Sequence, residues 1–305
     1  MVRMPGTPHL PLTFRALYQS PILQVHDYTC RACRGGPAAD EYSDGNSIVL
    51  MRHGAFCQHF GRRTVTADVN QAIFFAAGST YRVSHPADCG DRGTTFVVSP
   101  RVLNDIVREF DPVLDDRPHR PFPFVTGPCD TSAFWRHRAF VQRLEAAESR
   151  PLEPIWADVT ALQLIADILE AAFQRHAPPR KRRRRGTDDD HADRVEAAKT
   201  YLATRLGERV TLDEVARAVH LSPFHFARVF QARAGLPVHR YLTRLRLRAA
   251  LDRLIDGARD LTALALQLGF SSHSHFSDAF RAEFGRAPSE IRRSALRELS
   301  KNLEV

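Results

Sequence analysis

Between residues 20 and 99, apolar positions come in short alternating or β-branched runs: "ILQVHDYTC", "SIVLMRH", "RTVTADV", "QAIFFAA", "TYRVSHP" and "TTFVVSP". Gly, Asp, Asn or Pro separates them. Alternation with period two in β-branched and aromatic residues predicts strands, and regular spacing of such strands predicts a sandwich or small barrel. Further on the period lengthens to that of a helix in "RVLNDIVREF", "TSAFWRHRAFVQRLEAAE" and "EPIWADVTALQLIADILEAAFQRH". In the last of these, Ile155, Val159, Leu162, Ile165, Leu169 and Phe173 make a broad apolar stripe. Periodicity then stops at "RHAPPRKRRRRGTDDDHAD", where prolines, the basic run Arg180 to Arg185, a glycine and three aspartates predict a linker over residues 177–190.

Beyond the linker the chain repeats itself. "SPFHFARVFQARAGLPV", from Ser222 to Val238, returns as "SHSHFSDAFRAEFGRAP" from Ser272 to Pro288. The offset is fifty residues here and forty-nine upstream, where Leu212 matches Leu261, Ala216 matches Ala265 and Val219 matches Leu268. One extra residue is therefore expected in the second turn. Each copy reads as helix, turn, helix. In the first, Thr211 and Glu214 form a capping box, with Leu212, Val215, Ala216 and Val219 inward. His220 and Leu221 make the turn, Ser222 caps the next helix with Pro223 at its first position, and Gly235 closes it in the left-handed conformation. Phe226, Val229 and Phe230 face inward, which leaves the opposite face free.

Paired amphipathic helices also make ordinary core hairpins; the duplication and the charge favour a further role. Residues 191–305 hold 19 Lys or Arg against 13 Asp or Glu, nearly all of the cations arginine, whose planar fork suits phosphate and guanine edges. Between the copies, "VHRYLTRLRLRAALDRLI" predicts one helix of roughly 27 Å, close to the ~34 Å between successive major grooves on one face of DNA. Tyr241, Leu242, Leu245, Ala249 and Leu254 are expected inward on it, and Arg244, Arg246, Arg248 and Arg253 largely outward.

Val210 to Arg293 resembles the DNA-binding domain of the AraC/XylS family of bacterial transcription regulators, on "GFSSHSHFSDAFRAEFGRAP" followed by Ser289, Glu290, Ile291 and Arg292. The resemblance implies an α+β two-domain chain. A cupin-like β-barrel with flanking helices would sense an effector and dimerise over residues 1–176, and an all-α domain with two helix-turn-helix motifs would follow over 191–305. It implies a sequence-specific transcription regulator whose partners are double-stranded DNA, a second copy of the chain, RNA polymerase and a small-molecule effector. The expected DNA contacts are Ser222, Phe224, His225, Ala227, Arg228 and Gln231 on the first recognition helix, with Arg228 on a guanine and His225 on a phosphate. On the second they are Ser272, His273, Ser274, Ser277, Asp278 and Arg281. Two positions depart from the family: Asp278 stands where arginine is frequent, and Ile291 where tyrosine is. Asp278 repels phosphate but is able to accept from a cytosine amine.

Composition fits this reading. The 305 residues carry a net charge of +8 and a pI of about 9.6, which suit an anionic partner, including flanking DNA for the basic run of the linker. No signal peptide or membrane-spanning run is evident, so a cytoplasmic protein with reduced thiols is expected. The other class considered is a cupin-type metalloenzyme, or a metal- or redox-dependent repair sensor fused to a DNA-binding domain. Cupin enzymes draw ligands from a His-x-His pair, and none occurs between Met1 and Arg150. His53, His59 and His85 stand apart without a local carboxylate partner and read as surface or core histidines. Cys30 and Cys33 form a lone CxxC pair, with Cys57, Cys89 and Cys129 dispersed, so a four-thiolate zinc site is not expected. The expectation is accordingly no catalytic residue, no metal ligands, no cofactor and no membrane.

Overall fold

The computed structural model describes residues 12–32, 34–87, 90–111, 120–147, 152–176 and 185–301. They fall into two units, Met1–Arg183 and Arg184–Val305.

The first unit holds two antiparallel sheets. Its strands are β1 (Leu12–Gln19), β2 (Leu23–Cys30), β3 (Glu41–Tyr42), β4 (Ser47–His53), β5 (Ala55–Phe60), β6 (Arg63–Asp68), β7 (Gln71–Phe75), β8 (Thr80–Ser84), β9 (Asp91–Val98) and β10 (Thr126–Pro128). The six-stranded sheet runs β1-β2-β9-β4-β7-β10 and the four-stranded sheet β3-β8-β5-β6. All six expected runs are strands. β1 and β5 escaped the pattern for different reasons. β1 is an edge strand with mostly exposed side chains, and β5 carries Cys57, Gln58 and His59, held in register by the two-residue turn after Phe60 that pairs it with Arg63. Gly61 supplies the left-handed backbone for that turn, at φ 58°.

One face of the larger sheet supports the helices α1 (Pro100–Arg108), α2 (Thr131–Glu145) and α3 (Pro154–His176). Phe96 of β9 stacks on Phe140 of α2 at 6.1 Å, and Phe124 meets Phe173 of α3 edge-on at 4.9 Å. A Cβ on Gly127 of β10 would lie 2.5 Å from the Ala172 side chain, so α3 rests directly on the strand. The apolar stripe of α3 therefore divides. Ile165 and Leu169 are core, Leu162 and Phe173 are half-buried, and Ile155 and Val159 remain 72% and 56% exposed. Leu169, part of the same stripe, is fully buried.

His137 is buried within α2, its ring 6.0 Å from that of Phe96, and neither ring nitrogen has a hydrogen-bond partner among the described residues. Burial holds its pKa well below the ordinary histidine value, reinforced by Arg138 and Arg52. The folded unit thus keeps His137 neutral while the unfolded chain takes up a proton near pH 6.5, so its stability is complete above that pH and declines below it. The decline is about 1.4 kcal/mol per pH unit, or roughly 2 kcal/mol by pH 5. Thermal melts from pH 7.5 to 5 should show a shallower acid limb for His137→Leu than for wild type; parallel limbs would refute this assignment.

The second unit is all helical: α4 (Arg185–Ala203), α5 (Leu212–Ala218), α6 (Pro223–Ala234), α7 (Val238–Ile255), α8 (Leu261–Gln267), α9 (His273–Phe284) and α10 (Pro288–Lys301). Helix α4 starts at Arg185, inside the expected linker. Residues 185–190 are helical, and residues 177–184 lie outside the described residues. Val195, Ala198 and Leu202 are buried on the helix, so burial further along the chain carries α4 through the charged stretch.

The caps follow the repeat. Thr211 and Glu214 close a capping box, Ser222 and Ser272 accept from the backbone N–H groups of His225 and His275, and Gly235 and Gly285 end their helices at φ 80° and 69°. The connection from α8 to α9 is one residue longer than that from α5 to α6, as the two offsets predict. In each turn one residue is left-handed: Gly269 at φ 73° in the second and His220 at φ 54° in the first. Leu212 is the exception to the inward stripe. It is exposed at the start of α5.

Helix α7 has the expected bounds but a different face. Arg248 is fully buried, with Asp252 buried one turn on. Arg244 pairs with Glu283 of α9 at 2.9 Å. Arg246 donates to the carbonyl oxygens of Leu206, Glu208 and Gly269 at 2.8, 2.6 and 3.1 Å. Only Arg253 fits the outward expectation loosely, half-buried and bonded to Gln267 at 3.2 Å. Arg244 thus ties α7 to α9, and Arg246 ties it to the 206–208 turn and to the turn of the second copy. Gly269 is tied to this role, since a Cβ there would stand 2.7 Å from the Arg246 guanidinium.

Candidate functional site

Helix α6 buries Phe226 and Phe230 and turns the other face outward. Phe224 is 74% exposed, Ser222, His225, Arg228 and Gln231 line the same outer side, and Ala227 lies among them. The Arg228 guanidinium carbon lies 5.8 Å from the centre of the Phe224 ring. Among the described residues no carboxylate pairs with Arg228, whereas Arg217 is held by Asp213 at 2.6 Å and Arg194 by Asp190 at 2.9 Å. A cation that is not neutralised within the fold keeps its full attraction for an external anion. His225 differs from expectation in one respect: its Nε2 lies 3.2 Å from Nε2 of His191 on α4, so the ring is engaged inside the unit.

The second recognition helix, α9, repeats the packing with Phe276 and Phe280 and exposes a more polar face. Ser272, His273, Ser274 and Arg281 are exposed on it, with Asp278 on the same helix and Ser277 half-buried, its Oγ 3.5 Å from His273 Nε2. His275 is turned toward Ser271, with Nδ1 3.1 Å from Oγ. The cation is displaced by three residues relative to the first copy, from the position of Arg228 to that of Arg281. Ile291 is buried, as a packing residue should be.

A second feature belongs to the first unit. A cavity of about 450 Å³ lies between the two sheets, walled by Phe14, Val49, Phe56, Phe75, Tyr81, Val83 and Val97. One end is polar. Cys30 and Asp91 face each other across the β2–β9 ladder, and His85 follows β8. His85 Nε2 lies 3.3 Å from Cys30 Sγ and 3.2 Å from Asp91 Oδ2. Hydrogen bonding to Asp91, then to Cys30, raises the His85 pKa to about 10. The carboxylate partner that sequence reading denied to His85 thus exists. It is brought in by the pairing of β9 with β2, six residues along the chain from His85, and the sole local signal was an aspartate opening a strand beside Gly90. His53 and His59 lie apart from this group; His59 bonds to Ser84 at 2.7 Å. Cys33 and Cys89 lie outside the described residues, so the CxxC pair has no structural account.

Residues 215–294 match the family model described as a helix-turn-helix domain, and the match takes in both recognition helices and every expected contact residue. The C-terminal unit is an AraC-type helix-turn-helix domain. Over 104 residues the chain is 35% identical to the HTH-type transcriptional activator RhaS of Escherichia coli (strain SE11), which is 34% of this chain and 37% of that protein. The chain thus spans little over a third of the length of the curated relatives it matches. A structure of an AraC-type DNA-binding transcriptional regulator from Chromobacterium violaceum is 27% identical, covering 33% of this chain and 91% of that one with a TM-score of 0.32. A structure of ToxT from Vibrio cholerae covers 89% of this chain and 98% of that one at 12% identity, with a TM-score of 0.34. Within the AraC-type domain, Arg248 is buried and Arg244 and Arg246 are half-buried, so these three cations of α7 are engaged inside the fold and not on its surface. No helix among the described residues is long and apolar enough to cross a membrane.

Proposed function

We propose that the chain is a sequence-specific, DNA-binding transcription regulator of the cytoplasm, in which the AraC-type domain reads double-stranded DNA and the first unit senses a small molecule and dimerises. The observation that carries this is the pair of capped recognition helices whose outer faces stay open, with Arg228 free of any carboxylate partner among the described residues. The domains are assigned as residues 1–176 and 191–305, joined by the basic segment 177–190, whose residues 185–190 are helical. Contacts to DNA are assigned to Ser222, Phe224, His225, Ala227, Arg228 and Gln231, and to Ser272, His273, Ser274, Ser277, Asp278 and Arg281. RNA polymerase is the downstream partner, and no catalytic step is assigned. The cavity between the sheets is of a size that suits a small effector.

Arg228→Ala should weaken binding at the cognate site by about 1–3 kcal/mol, relax the preference at one base pair, and leave the melting temperature unchanged. Selection of binding sites from a random duplex pool, run on wild type and variant, measures both effects. An unaltered site preference would remove Arg228 from the readout.

A further inference from the structure

We propose that Cys30, His85 and Asp91 form a binding site for a divalent transition-metal ion of the zinc class, with its remaining coordination position open to the cavity. Their ligand atoms all lie within 4.8 Å of one another, the one such group of His, Cys and carboxylate found among the described residues. A thiolate, an imidazole and a carboxylate are ligands that zinc accepts together. At metal–ligand distances of 2.0–2.3 Å, tetrahedral geometry sets the donors about 3.3–3.6 Å apart. The observed separations from His85 Nε2, 3.3 Å to Cys30 Sγ and 3.2 Å to Asp91 Oδ2, are close to those edges.

The hydrogen-bond pattern points the same way. Both heteroatoms converge on one imidazole nitrogen, which bears at most one proton, so His85 can serve only one of them by hydrogen bonding at a time, and all three groups are buried or nearly so. A metal at the centre of the triangle satisfies all three atoms at once. The backbone fixes the triangle. Cys30 and Asp91 are register partners, so their side chains share a face of the sheet, and His85 is held by the bridge between Gly35 and His85. Three protein ligands with the next position facing a cavity is the arrangement of an open site, which would take an anionic or neutral oxygen or sulfur donor of a small molecule entering there. This inference stands on the first unit alone and is independent of the DNA-binding reading.

The test is titration of metal-depleted full-length protein with Co²⁺ and then Zn²⁺. One equivalent of Co²⁺ should bind with a thiolate-to-cobalt charge-transfer band and tetrahedral visible bands, and Zn²⁺ should bleach both. Cys30→Ser should abolish the charge-transfer band, and Asp91→Asn should weaken Zn²⁺ at least about tenfold, by analogy with the cost of losing supporting partners. Cys57→Ala, elsewhere in the sheets, should retain the wild-type spectrum. The wild-type spectrum needs no variant, so a Cys30→Ser protein that misfolds leaves the test intact. Absence of stoichiometric binding, or binding without a thiolate band, would overturn the proposal and leave His85 as an imidazolium clasped by Asp91.

Discussion

Arg248→Ala is expected to destabilise the C-terminal unit by about 3–5 kcal/mol, because it strips a guanidinium from a fully buried position and leaves the Asp252 carboxylate buried one turn away. Against a domain stability of about 5–15 kcal/mol, that is a large fraction of the whole. The melting transition should fall by about 10 °C or more, since about 1 kcal/mol corresponds to roughly 3–5 °C in a unit of this size. DNA binding should disappear with the fold rather than ahead of it. Circular dichroism melts beside binding isotherms separate this from Arg228→Ala, which should lose affinity at unchanged stability. An Arg248→Ala protein that melts like wild type but fails to bind would place Arg248 at the DNA instead.

The second large effect concerns assembly. Ile155 and Val159 sit one turn apart on α3, exposed on the same side of the helix, with Leu162 half-buried a turn further. Large apolar residues grouped on one helix face favour association. The double variant Ile155→Glu, Val159→Glu should convert a dimeric full-length protein to monomer while leaving its melting temperature within about 1 kcal/mol-equivalent of wild type, as surface substitutions do. Two linked DNA-binding domains gain from effective concentration, so affinity for a two-half-site operator should drop about 10²–10⁴-fold, with the affinity for a single half-site unchanged. A charge at Leu169, by contrast, enters the core and should unfold the first unit. Analytical ultracentrifugation decides the matter. A monomeric wild type at micromolar concentration, or a variant that still dimerises, would move the interface elsewhere.

What was legible in the sequence was what is local. The caps at Ser222 and Ser272, the closing glycines Gly235 and Gly285, and the extra residue in the second turn are all set by neighbours within a few positions, so the repeat could be read to the residue. The alternating strands β2 and β9 were legible for the same reason, and β4 as a short apolar run buried on both faces. The arginines of α7 were not. In "RLRLR" charge and bulk alternate every residue, which marks no helical face, and the side chosen for Arg246 depends on carbonyl groups of Leu206, Glu208 and Gly269 in distant turns. Arg248 is covered by helices whose approach its own segment does not encode. The cluster of Cys30, His85 and Asp91 was hidden likewise: strand register brings it together, and each member read singly is an ordinary thiol, imidazole or carboxylate. On α3 the apolar spacing was right, but it does not tell which residues lie over β10 and which extend past it.

DNA binding by the AraC-type domain should reveal itself in its dependence on salt. A fragment of residues 184–305, which retains α4 and its buried Val195, Ala198 and Leu202, should bind duplex DNA as a monomer. Its affinity should fall linearly in log–log form with salt. For about four to six phosphates neutralised, the loss between 50 and 200 mM salt is about 10²–10³-fold. Fluorescence anisotropy with a labelled duplex pool measures the slope. A fragment that is folded by circular dichroism yet shows no salt-dependent binding to any duplex would contradict the account.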